Sequence, residues 1–447
     1  MRVLMFGWEF PPHISGGLGT ACYGLTKSLT KENVEILFVV PKLFGGESLP
    51  RVDFIDAGKV PIKINQRKEI ITQQIEIPGE ERTEVEVSIT TIEVESNLSP
   101  YRSTSYQSPV LHMESWSYTL EPTTSEVTTE VEVSDTFTHK FSGTYGPDLI
   151  EETKRYAEVA AALARELTFD IIHVHDWMTF PAGIAAQEAS NKPLIVHVHS
   201  TEFDRSGENI DPRVYNIEKE GVEKSDHILA VSKWTKDILV SRYKIDADKI
   251  SVAYNGIVPK DLKDLPAIPS IGSHVVTFLG RLTFQKGPFY FVEAARKVLE
   301  KFPDAHFIVA GSGDLFPQVV ERVAQLRLSS RFHFTGFLKG DNIDKVWSVS
   351  SVYVMPSVSE PFGITPLEAI QAGVPVIVSN QSGVAEVMPH AIKVDFWETD
   401  VLADAICNVL AYESLSTTLK KNSLNEIKNI TWDKVAKKIK NIYHELI

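Results

Sequence analysis

The chain has 447 residues, of which 43% are hydrophobic and 23% are charged, an ordinary composition for a folded protein of two or three domains. Its 45 lysine and arginine residues are outnumbered by 59 aspartate and glutamate residues. The resulting net charge of −14 argues against general nucleic-acid binding, which needs concentrated positive charge.

Cys22 and Cys407 form neither a disulfide framework nor a zinc-binding spacing. No apolar run reaches the ~18 residues that a membrane helix needs. The first apolar run ends at Gly7, which is too short for the core of a signal peptide. We therefore expect a cytoplasmic protein.

The first forty residues predict a strand, a loop, a helix and a second strand. The apolar runs 3–6 and 34–40 are typical of buried strands, and a helical pattern lies between them at about 20–30. The loop carries Gly16 and Gly17 without the G-x-G-x-x-G order of a dinucleotide fingerprint. This order of elements is a βαβ unit, which predicts a parallel sheet.

Residues from about 50 to 145 break this rhythm. Segments such as 84–89 and 130–133 alternate apolar residues with Thr, Ser and Glu, which predicts a β-rich insertion. Its aromatic residues either stack on a ligand or a partner subunit, or form the insertion's own small core, which burial statistics favour. These residues are Tyr101, Tyr106, Trp116, Tyr118 and Tyr145.

Strand patterns return at 171–174, 194–198, 227–231 and 250–253. The second of these runs into His197-Val198-His199, and strand alternation places its two histidines on one face. They form a conceivable metal pair, for which no third ligand is evident.

A second metal pattern is the Asp-x-Asp formed by Asp246 and Asp248. It precedes the strand at 250–253 and so lies at that strand's amino end. Ligands in open α/β sheets bind at the opposite end. We therefore interpret these two aspartates as part of a turn.

Prolines 259, 266 and 269 mark residues 258–273 as an interdomain linker. A second series of strands follows, with helices between them, at 275–279, 306–310, 331–335, 351–355 and 374–378. Two such series predict an α/β protein with two doubly wound domains that face each other across a cleft. Ligands then bind beyond the carboxyl ends of the strands.

The loop after the strand at 275–279 carries Arg281 and Lys286. Two cations that converge from one loop suit a diphosphate, although two solvated charges are the simpler alternative. After the strand at 306–310, Gly311 and Gly313 permit either the close approach of a nucleotide or a tight turn.

The segment after the strand at 351–355 predicts a well-capped helix. Thr365 suits the N-cap, and Glu368 three residues later completes a capping-box spacing. This interpretation leaves Glu360 unexplained, since it is a carboxylate on a tight loop at a strand's carboxyl end. The amides of residues 363–365 would meet at the helix N-terminus, which is an anion site.

Glu360 and Glu368 are separated by seven residues, with Pro361-Phe362-Gly363 between them. This pattern resembles the Glu-x7-Glu motif of GT-B retaining glycosyltransferases, especially glycosyltransferase family 4. The resemblance implies two Rossmann-like domains and anomeric retention. It also implies that Glu360 binds hydroxyls of the donor sugar, and that Glu368 binds the ribose of the nucleotide.

The resemblance extends to three further segments. Gly280-Arg281-Leu282-x-x-x-Lys286-Gly287 resembles the family's pyrophosphate clamp, and His199 resembles its active-site histidine, near the sugar C6 hydroxyl. His175-Asp176-Trp177 resembles a segment of bacterial glycogen and starch synthases, which implies that Asp176 lies on the acceptor side. The implied catalytic residues are Glu360, His199, Arg281 and Lys286. The implied donor-binding residues are Gly16, Gly17, Gly280, Gly311, Gly313, Phe337, Phe362, Gly363, Ile364, Thr365 and Glu368.

Two departures favour family 4 over the family 5 glycogen synthases. Ile14 stands where family 5 usually carries the lysine of Lys-x-Gly-Gly, and Glu368 is a glutamate that family 5 usually lacks. We expect transfer of a hexose, foremost glucose, from UDP- or ADP-glucose to a carbohydrate, foremost an α-glucan. No metal or other cofactor is expected, because Arg281 and Lys286 supply the charge.

Two rival functions stay open. The first is a glycosyltransferase of glycolipid or cell-surface polysaccharide synthesis, whose terminal lysines would contact anionic lipid. A solvated helix face is the favoured interpretation of those lysines, namely Lys434, Lys437, Lys438 and Lys440. The second rival is a non-catalytic, carbohydrate-binding regulator, against which the full set of catalytic residues argues.

The resemblance covers about residues 1–45 and 145–447, and therefore excludes the insertion. We expect an acceptor-side domain at 1–258, with the insertion at about 50–145, and a nucleotide-sugar-binding domain at 259–430. A C-terminal helix at 431–447 is expected to cross back to the first domain.

Overall fold

The structure is a computed structural model that describes residues 1–13, 16–75, 83–94, 127–258 and 271–447, with the backbone alone between residues 63 and 135. Residues 259–270 of the predicted linker lie outside these ranges. So do Ile14 and four of the aromatic residues predicted for the insertion, namely Tyr101, Tyr106, Trp116 and Tyr118.

The described chain alternates strands and helices. The strands are β1 (Arg2–Phe6), β2 (Glu35–Val40), β3 (Val52–Asp56), β4 (Ile62–Ile75), β5 (Thr83–Val94), β6 (Val127–Phe137), β7 (Ile171–His175), β8 (Leu194–Val198), β9 (His227–Ala230), β10 (Ile250–Val252), β11 (Val275–Leu279), β12 (His306–Ala310), β13 (Phe332–Gly336), β14 (Val352–Met355), β15 (Val376–Ser379) and β16 (Ile392–Val394). The helices are α1 (Gly17–Lys31), α2 (Leu149–Glu166), α3 (Phe180–Ser190), α4 (Glu202–Ser206), α5 (Pro212–Lys224), α6 (Lys233–Arg242), α7 (Pro288–Lys301), α8 (Phe316–Gln325), α9 (Asp341–Val349), α10 (Thr365–Gln371), α11 (Val384–Val387), α12 (Thr399–Ala411), α13 (Glu413–Ile427) and α14 (Trp432–Leu446). No helix in these ranges combines the length and the apolar character that crossing a bilayer needs.

The first domain is built on a parallel sheet in the order β10-β9-β8-β7-β1-β2-β3. Its central strands are buried along almost their whole length because helices cover both faces of the sheet. The strand order reverses between β1 and β7, so the loops that follow these two strands diverge and leave a crevice.

The second domain repeats this plan. Its parallel sheet has the order β13-β12-β11-β14-β15-β16. The order reverses between β11 and β14, which places the loop with Arg281 and Lys286 next to the loop with Glu360. Two parallel, doubly wound sheets confirm the predicted fold class.

The insertion is a three-stranded antiparallel sheet in the order β5-β4-β6. The predicted start of the insertion, at about residue 50, is wrong because β3 pairs in parallel with β2 and so belongs to the main sheet. The antiparallel strands occupy residues between Ile62 and Phe137. Strand β3 is an edge strand of the main sheet, where polar residues are tolerated. These polar residues made it look like part of the insertion.

Helix α14 packs on the first domain, beside α1. The indole of Trp432 is buried there, so close to Gly24 that a Cβ on that glycine would lie 2.2 Å from the Trp432 Nε1 atom. Ile439 and Tyr443 continue the same buried face. The C-terminal helix therefore closes the core of the first domain after the chain has left the second.

The other face of α14 carries the four terminal lysines. Lys438 donates to the Val252 carbonyl at 2.6 Å, and Lys440 donates to the Glu32 carbonyl at 2.8 Å. Lys434 donates to the Asn429 side chain at 2.8 Å, and Lys437 lies 3.9 Å from the Glu32 carboxylate. Each of these lysines therefore has a partner within the chain.

Candidate active site

The carboxyl ends of both sheets face one cavity of about 320 Å³. Residues from the two domains form its opposite walls. The predicted site residues that line it are Gly16, Gly17, Asp176, His199, Gly280, Arg281, Lys286, Gly311, Phe337, Glu360, Phe362, Gly363, Ile364 and Thr365. The topology thus brings together segments that lie up to 349 positions apart, from Gly16 to Thr365.

Lys286 and Glu360 meet on the second-domain wall. The Lys286 ammonium donates to Oε2 of Glu360, and the Ser357 hydroxyl donates to the same oxygen at 3.2 Å. The two charged side chains are 21% and 7% exposed, respectively. A charge-assisted contact with so little solvent is stronger than a surface ion pair, so both groups are held in place.

The backbone fixes the loop that carries Glu360. The Glu360 amide donates to the Gln381 carbonyl at 2.9 Å, and the Gly383 amide donates to the Glu360 carbonyl at 2.9 Å. Gly363 adopts a φ of +93°, which a residue with a side chain rarely adopts. These backbone hydrogen bonds therefore hold the loop, and with it Glu360, in one conformation.

The predicted capping box does not form. Helix α10 begins at Thr365, with Ile364 at the N-cap, and no side chain caps its first turn. Because Thr365 is already inside the helix, Glu368 is not explained as the partner of a capping threonine. Glu368 does not line the cavity within the described residues, so its contact with a ribose stays a prediction.

The glycines after β12 serve the packing of two loops. A Cβ on Gly311 would lie 1.9 Å from the Gly280 carbonyl oxygen, and a Cβ on Gly313 would lie 2.3 Å from the Leu282 carbonyl oxygen. The Gly280 amide also donates to the Ala310 carbonyl at 2.9 Å. These glycines hold the loop with Arg281 against its neighbour, and of the two only Gly311 lines the cavity.

Phe337 stands at the rim of the cavity, next to β13. Its side chain is 54% exposed, an unusual state for a phenylalanine. The Lys339 ammonium lies 5.4 Å from the centre of its ring. An exposed flat ring at the edge of a polar cleft is suited to stacking on a planar ligand group.

Asp176 and His199 form part of the first-domain wall. Oδ1 of Asp176 accepts hydrogen bonds from the His199 amide at 2.6 Å and from the Ser200 amide at 3.1 Å. Burial raises the pKa of Asp176 to about 7, although Arg205 and these two amides act in the opposite direction. This carboxyl group therefore titrates near neutral pH.

His199 is neutral at physiological pH, because burial lowers its pKa to about 3. Its Nε2 atom lies 3.0 Å from Nδ1 of His175, one residue before Asp176 in the chain. A neutral imidazole in the cavity wall offers hydrogen bonds rather than positive charge. It is therefore suited to binding a hydroxyl group and not a phosphate.

The aspartates at 246 and 248 form a turn, as predicted. Asp246 Oδ1 accepts from the Asp248 amide at 3.0 Å and caps a short 3-10 turn before β10. The turn lies at the amino end of that strand, which is the end away from the cavity.

The sequence did not reveal the contact that joins the two walls. The Ser359 hydroxyl, next to Glu360, donates to Oδ1 of Asp204 in α4 at 2.5 Å. It also accepts from the indole Nε1 of Trp234 in α6 at 3.1 Å. Asp204 is 155 positions away in the chain, and no local pattern signals such a contact.

Tyr145 is a second residue whose placement the sequence left open. It is 48% exposed and therefore lies outside any core of the insertion. Desolvation by the surrounding protein, followed by the charges of Glu9 and Asp176, raises the pKa of its hydroxyl, while Arg281 acts in the opposite direction. Tyr145 is thus within electrostatic reach of charged groups on both walls.

Comparison with protein families agrees with this geometry. Residues 130–261 match the family described as Glycosyltransferase Family 4, and residues 268–426 match the family described as Glycosyl transferases group 1. The two matches cover the cavity-lining loops that follow β7, β8, β11, β12 and β14. The chain belongs to the GT-B glycosyltransferases.

Relatives of this glycosyltransferase differ in what their names say they act on. An uncharacterized glycosyltransferase of Methanocaldococcus jannaschii is 27% identical, over 99% of this chain and 98% of its own length. The UDP-Gal:alpha-D-GlcNAc-diphosphoundecaprenol alpha-1,3-galactosyltransferase of Escherichia coli is 28% identical, over 67% of this chain and 81% of its own. The glycogen synthase of Mycobacterium tuberculosis is 26% identical, over 59% of this chain and 67% of its own.

Solved structures share the fold. Sucrose-phosphate synthase from Thermosynechococcus elongatus superimposes with a TM-score of 0.69 at 18% identity, over 100% of this chain and 98% of its own. HepE of Anabaena in complex with UDP-glucose gives a TM-score of 0.62 at 15% identity, over 100% of both chains. At these identities the likeness concerns the GT-B architecture alone.

Proposed function

We propose that this glycosyltransferase transfers a hexose, foremost glucose, from a nucleotide diphosphate sugar to a carbohydrate acceptor, with retention and without a metal ion. The observation that carries the proposal is the contact between Lys286 and Glu360 in the cleft, beside Arg281. It puts a phosphate-binding cation and a hydroxyl-binding carboxylate at one point, which is where a donor sugar meets its diphosphate.

The proposed role of the cations follows from the charge that develops during transfer. As the glycosidic bond breaks, the leaving nucleoside diphosphate gains negative charge. Arg281 and Lys286 stabilise this charge from fixed positions, and one such group is worth roughly 3–4 kcal/mol in other enzymes. These two residues would thereby replace the Mg²⁺ that other transferases use.

The proposed role of Glu360 is to hold hydroxyl groups of the donor sugar. An ionised carboxylate only accepts hydrogen bonds, and a sugar presents several donors. Lys286 and Ser357 already fix Oε2, so the other oxygen is the one best placed to accept from the sugar. Retention is supported by the resemblance to the Glu-x7-Glu motif of retaining enzymes.

The first-domain wall would bind the acceptor. Asp176 lines it with a carboxyl group, and the exposed ring of Tyr145 lies within electrostatic reach of that group. Aromatic rings stack on the apolar face of sugars, and carboxylates accept from their hydroxyls. An α-glucan is favoured as the acceptor because the His-Asp-Trp segment resembles that of glycogen synthases, and a glycogen synthase is among the relatives.

The rival function, glycolipid or cell-surface polysaccharide synthesis, is favoured by one observation. A relative of comparable identity is named for a diphosphoundecaprenol acceptor. The contacts of the terminal lysines speak against it, since Lys438 and Lys440 donate to backbone carbonyls of the chain itself. We therefore expect no sedimentation with anionic vesicles; binding that disappears when the four terminal lysines are neutralised would favour the rival.

A non-catalytic, carbohydrate-binding regulator is the third candidate. All four proposed catalytic residues line one cavity, which a regulator would not require: His199, Arg281, Lys286 and Glu360. We expect measurable turnover, and a chain that binds nucleotide sugars but transfers nothing to any acceptor would favour the regulator.

A donor screen tests the proposed function. Release of nucleoside diphosphate is measured from UDP-, ADP- and GDP-sugars, each with and without glycogen. The expected result is release from a glucose donor that glycogen accelerates. Release that no glucan accelerates would contradict the proposed acceptor, and no release from any donor would contradict the proposed activity.

A further inference from the structure

Four histidines lie under the first-domain wall of the cleft. His173 and His175 belong to β7, and His197 and His199 lie at the end of the neighbouring β8. Because β7 and β8 are adjacent parallel strands, alternation places all four rings on one side of the sheet. The ring centres of consecutive pairs lie 4.3–5.4 Å apart.

Two of these rings already have the spacing of metal ligands. Nε2 of His173 and Nδ1 of His197 are 3.3 Å apart. Two nitrogens that each lie about 2.0–2.1 Å from a tetrahedral Zn²⁺ are separated by roughly 3.3–3.4 Å. A simple N–H···N hydrogen bond between the two rings is the competing explanation.

A third histidine, His175, favours a metal site over a simple hydrogen bond between the first two rings. His175 offers a nitrogen that lies within 4.8 Å of the other two ligand atoms, so a small shift of its ring toward them completes the set. Its Nε2 atom and Nε2 of His197 are both buried, and neither has a hydrogen-bond partner among the described residues. Buried polar atoms without partners are costly, and a bound ion would satisfy the one on His175.

The outer contacts are those that metal-binding histidines require. Nδ1 of His173 lies 2.5 Å from the hydroxyl of Tyr443 in α14, and Nδ1 of His175 lies 3.0 Å from Nε2 of His199. Such contacts fix the tautomer of a ligand histidine and direct its other nitrogen at the ion.

We propose that His173, His175 and His197 form a binding site for a transition-metal ion such as Zn²⁺, beneath the active-site wall and separate from the donor site. Three neutral imidazoles favour Zn²⁺ and its neighbours over Mg²⁺ or Ca²⁺, which prefer oxygen ligands. The half-buried His199, which lines the cavity, stands between solvent and His175 and so marks the path of entry.

A metal ion bound to the three histidines would influence turnover through His199, which lines the cavity. An ion on Nε2 of His175 leaves the proton on Nδ1, which then donates to Nε2 of His199 and fixes the tautomer of that residue. This consequence rests on the proposed function, whereas the binding of the ion does not. We therefore expect turnover to change in proportion to occupancy of the site.

Metal binding is measured on the full chain after removal of metals with EDTA. Titration with Zn²⁺ against a coloured chelator is expected to give one ion per chain, and Co²⁺ is expected to give the visible bands of a low-symmetry imidazole site. H173Q combined with H197Q should abolish binding. Y443F, a nearly isosteric change outside the ligand set, should weaken binding 10–100-fold.

The matched control is H390Q, which alters an exposed histidine of the second domain and should bind as the wild type does. Thermal unfolding of each variant identifies any that fails to fold, and the wild-type titration stands without them. A wild-type chain that binds no ion, or equal binding by wild type and by a folded H173Q/H197Q variant, would overturn the site. Nucleoside diphosphate release that is unchanged at full occupancy would overturn the control of His199, whereas the absence of any release would count against the proposed function alone.

Discussion

At the scale of single residues, the proposed donor site depends on opposite charges held close together. Lys286 and Glu360 contact each other at low exposure, so each neutralises the cost of burying the other. A phosphate that approaches Lys286 competes with Glu360 for the ammonium. Under the proposed function, this competition would leave the carboxylate more available to sugar hydroxyls when the donor is bound.

Asp176 gives a prediction about pH. Burial raises the pKa of this carboxyl group to about 7 in the folded chain, against an ordinary value of 3.8. The folded state therefore holds the proton more tightly than the unfolded state, and stability falls as the pH rises toward 7 and levels off above it. Relative to D176N, the free energy of unfolding of the wild type should fall by roughly 3 kcal/mol between pH 5 and pH 8.

Urea titrations of both proteins at several pH values across this range measure the difference. The comparison with D176N removes the contribution of all other titrating groups. A difference that is constant with pH, or that grows as the pH rises, would contradict a raised pKa for Asp176.

At the scale of elements, the site depends on the two places where strand order reverses. The loops after β11 and β14 meet because these strands are neighbours, and Ser359 then joins the β14 loop to α4 and α6 of the first domain. Helix α4 follows His199 by three residues. The hydrogen bonds of Ser359 therefore set the position of Glu360 relative to His199.

The S359A variant tests whether the hydrogen bonds of Ser359 position Glu360. The change removes two hydrogen bonds, of which one satisfies the buried Asp204 carboxyl group. At about 1 kcal/mol for each bond, kcat should fall about tenfold or more. Affinity for the nucleotide should stay within about twofold, because Ser359 aligns the walls and is not expected to bind the donor.

S359T, which keeps the hydroxyl, should recover part of the lost activity. S414A, on the exposed surface of α13, is the matched control and should behave as the wild type does. Steady-state kinetics and nucleotide titrations separate kcat from affinity. An unchanged kcat in S359A would show that the hydrogen bonds of Ser359 do not position Glu360.

At the scale of the whole molecule, the cleft divides the proposed site residues between two domains. The second domain supplies the cations and Glu360, and the first supplies Asp176 and His199. The C-terminal helix ties the end of the chain back to the first domain through Trp432, which packs on Gly24. The chain that leaves the second domain thus ends in the core of the first domain.

Because the proposed donor site uses cations of the protein, turnover should not require a metal ion. We predict that protein freed of metals with EDTA releases nucleoside diphosphate as fast without Mg²⁺ or Mn²⁺ as with either ion, at any occupancy of the histidine site. Loss of release in EDTA that Mg²⁺ or Mn²⁺ restores would contradict the role given to Arg281 and Lys286.

The sequence predicted most of the fold because apolar runs mark buried parallel strands: β8, β11 and β12 have the predicted bounds. It also predicted most of the residues that line the cavity, since glycines and charges follow those strands. It misassigned β3, whose edge position permits polar residues. It also predicted a capping box at Thr365 that does not form, because the helix starts one residue earlier.

Contacts across the fold were not predictable from local patterns. The third histidine near His197 lies on the adjacent strand, 24 positions away from it, and only the pairing of β7 with β8 brings the two together. Ser359 and Asp204 are likewise joined only when the two domains close on each other. Sequence patterns report the period of one element, whereas these sites arise from the packing of several.

The most direct test of the central claim is turnover and nucleotide binding in E360A. The change removes the proposed sugar-binding carboxylate and releases Lys286 from its ion pair, so the nucleoside diphosphate should bind as tightly as in the wild type or more tightly. Turnover should fall by about 10²-fold or more, the size seen when a transition-state contact is removed. E300Q, on the exposed face of α7, serves as the control. Turnover in E360A equal to that of the wild type would contradict the site described here.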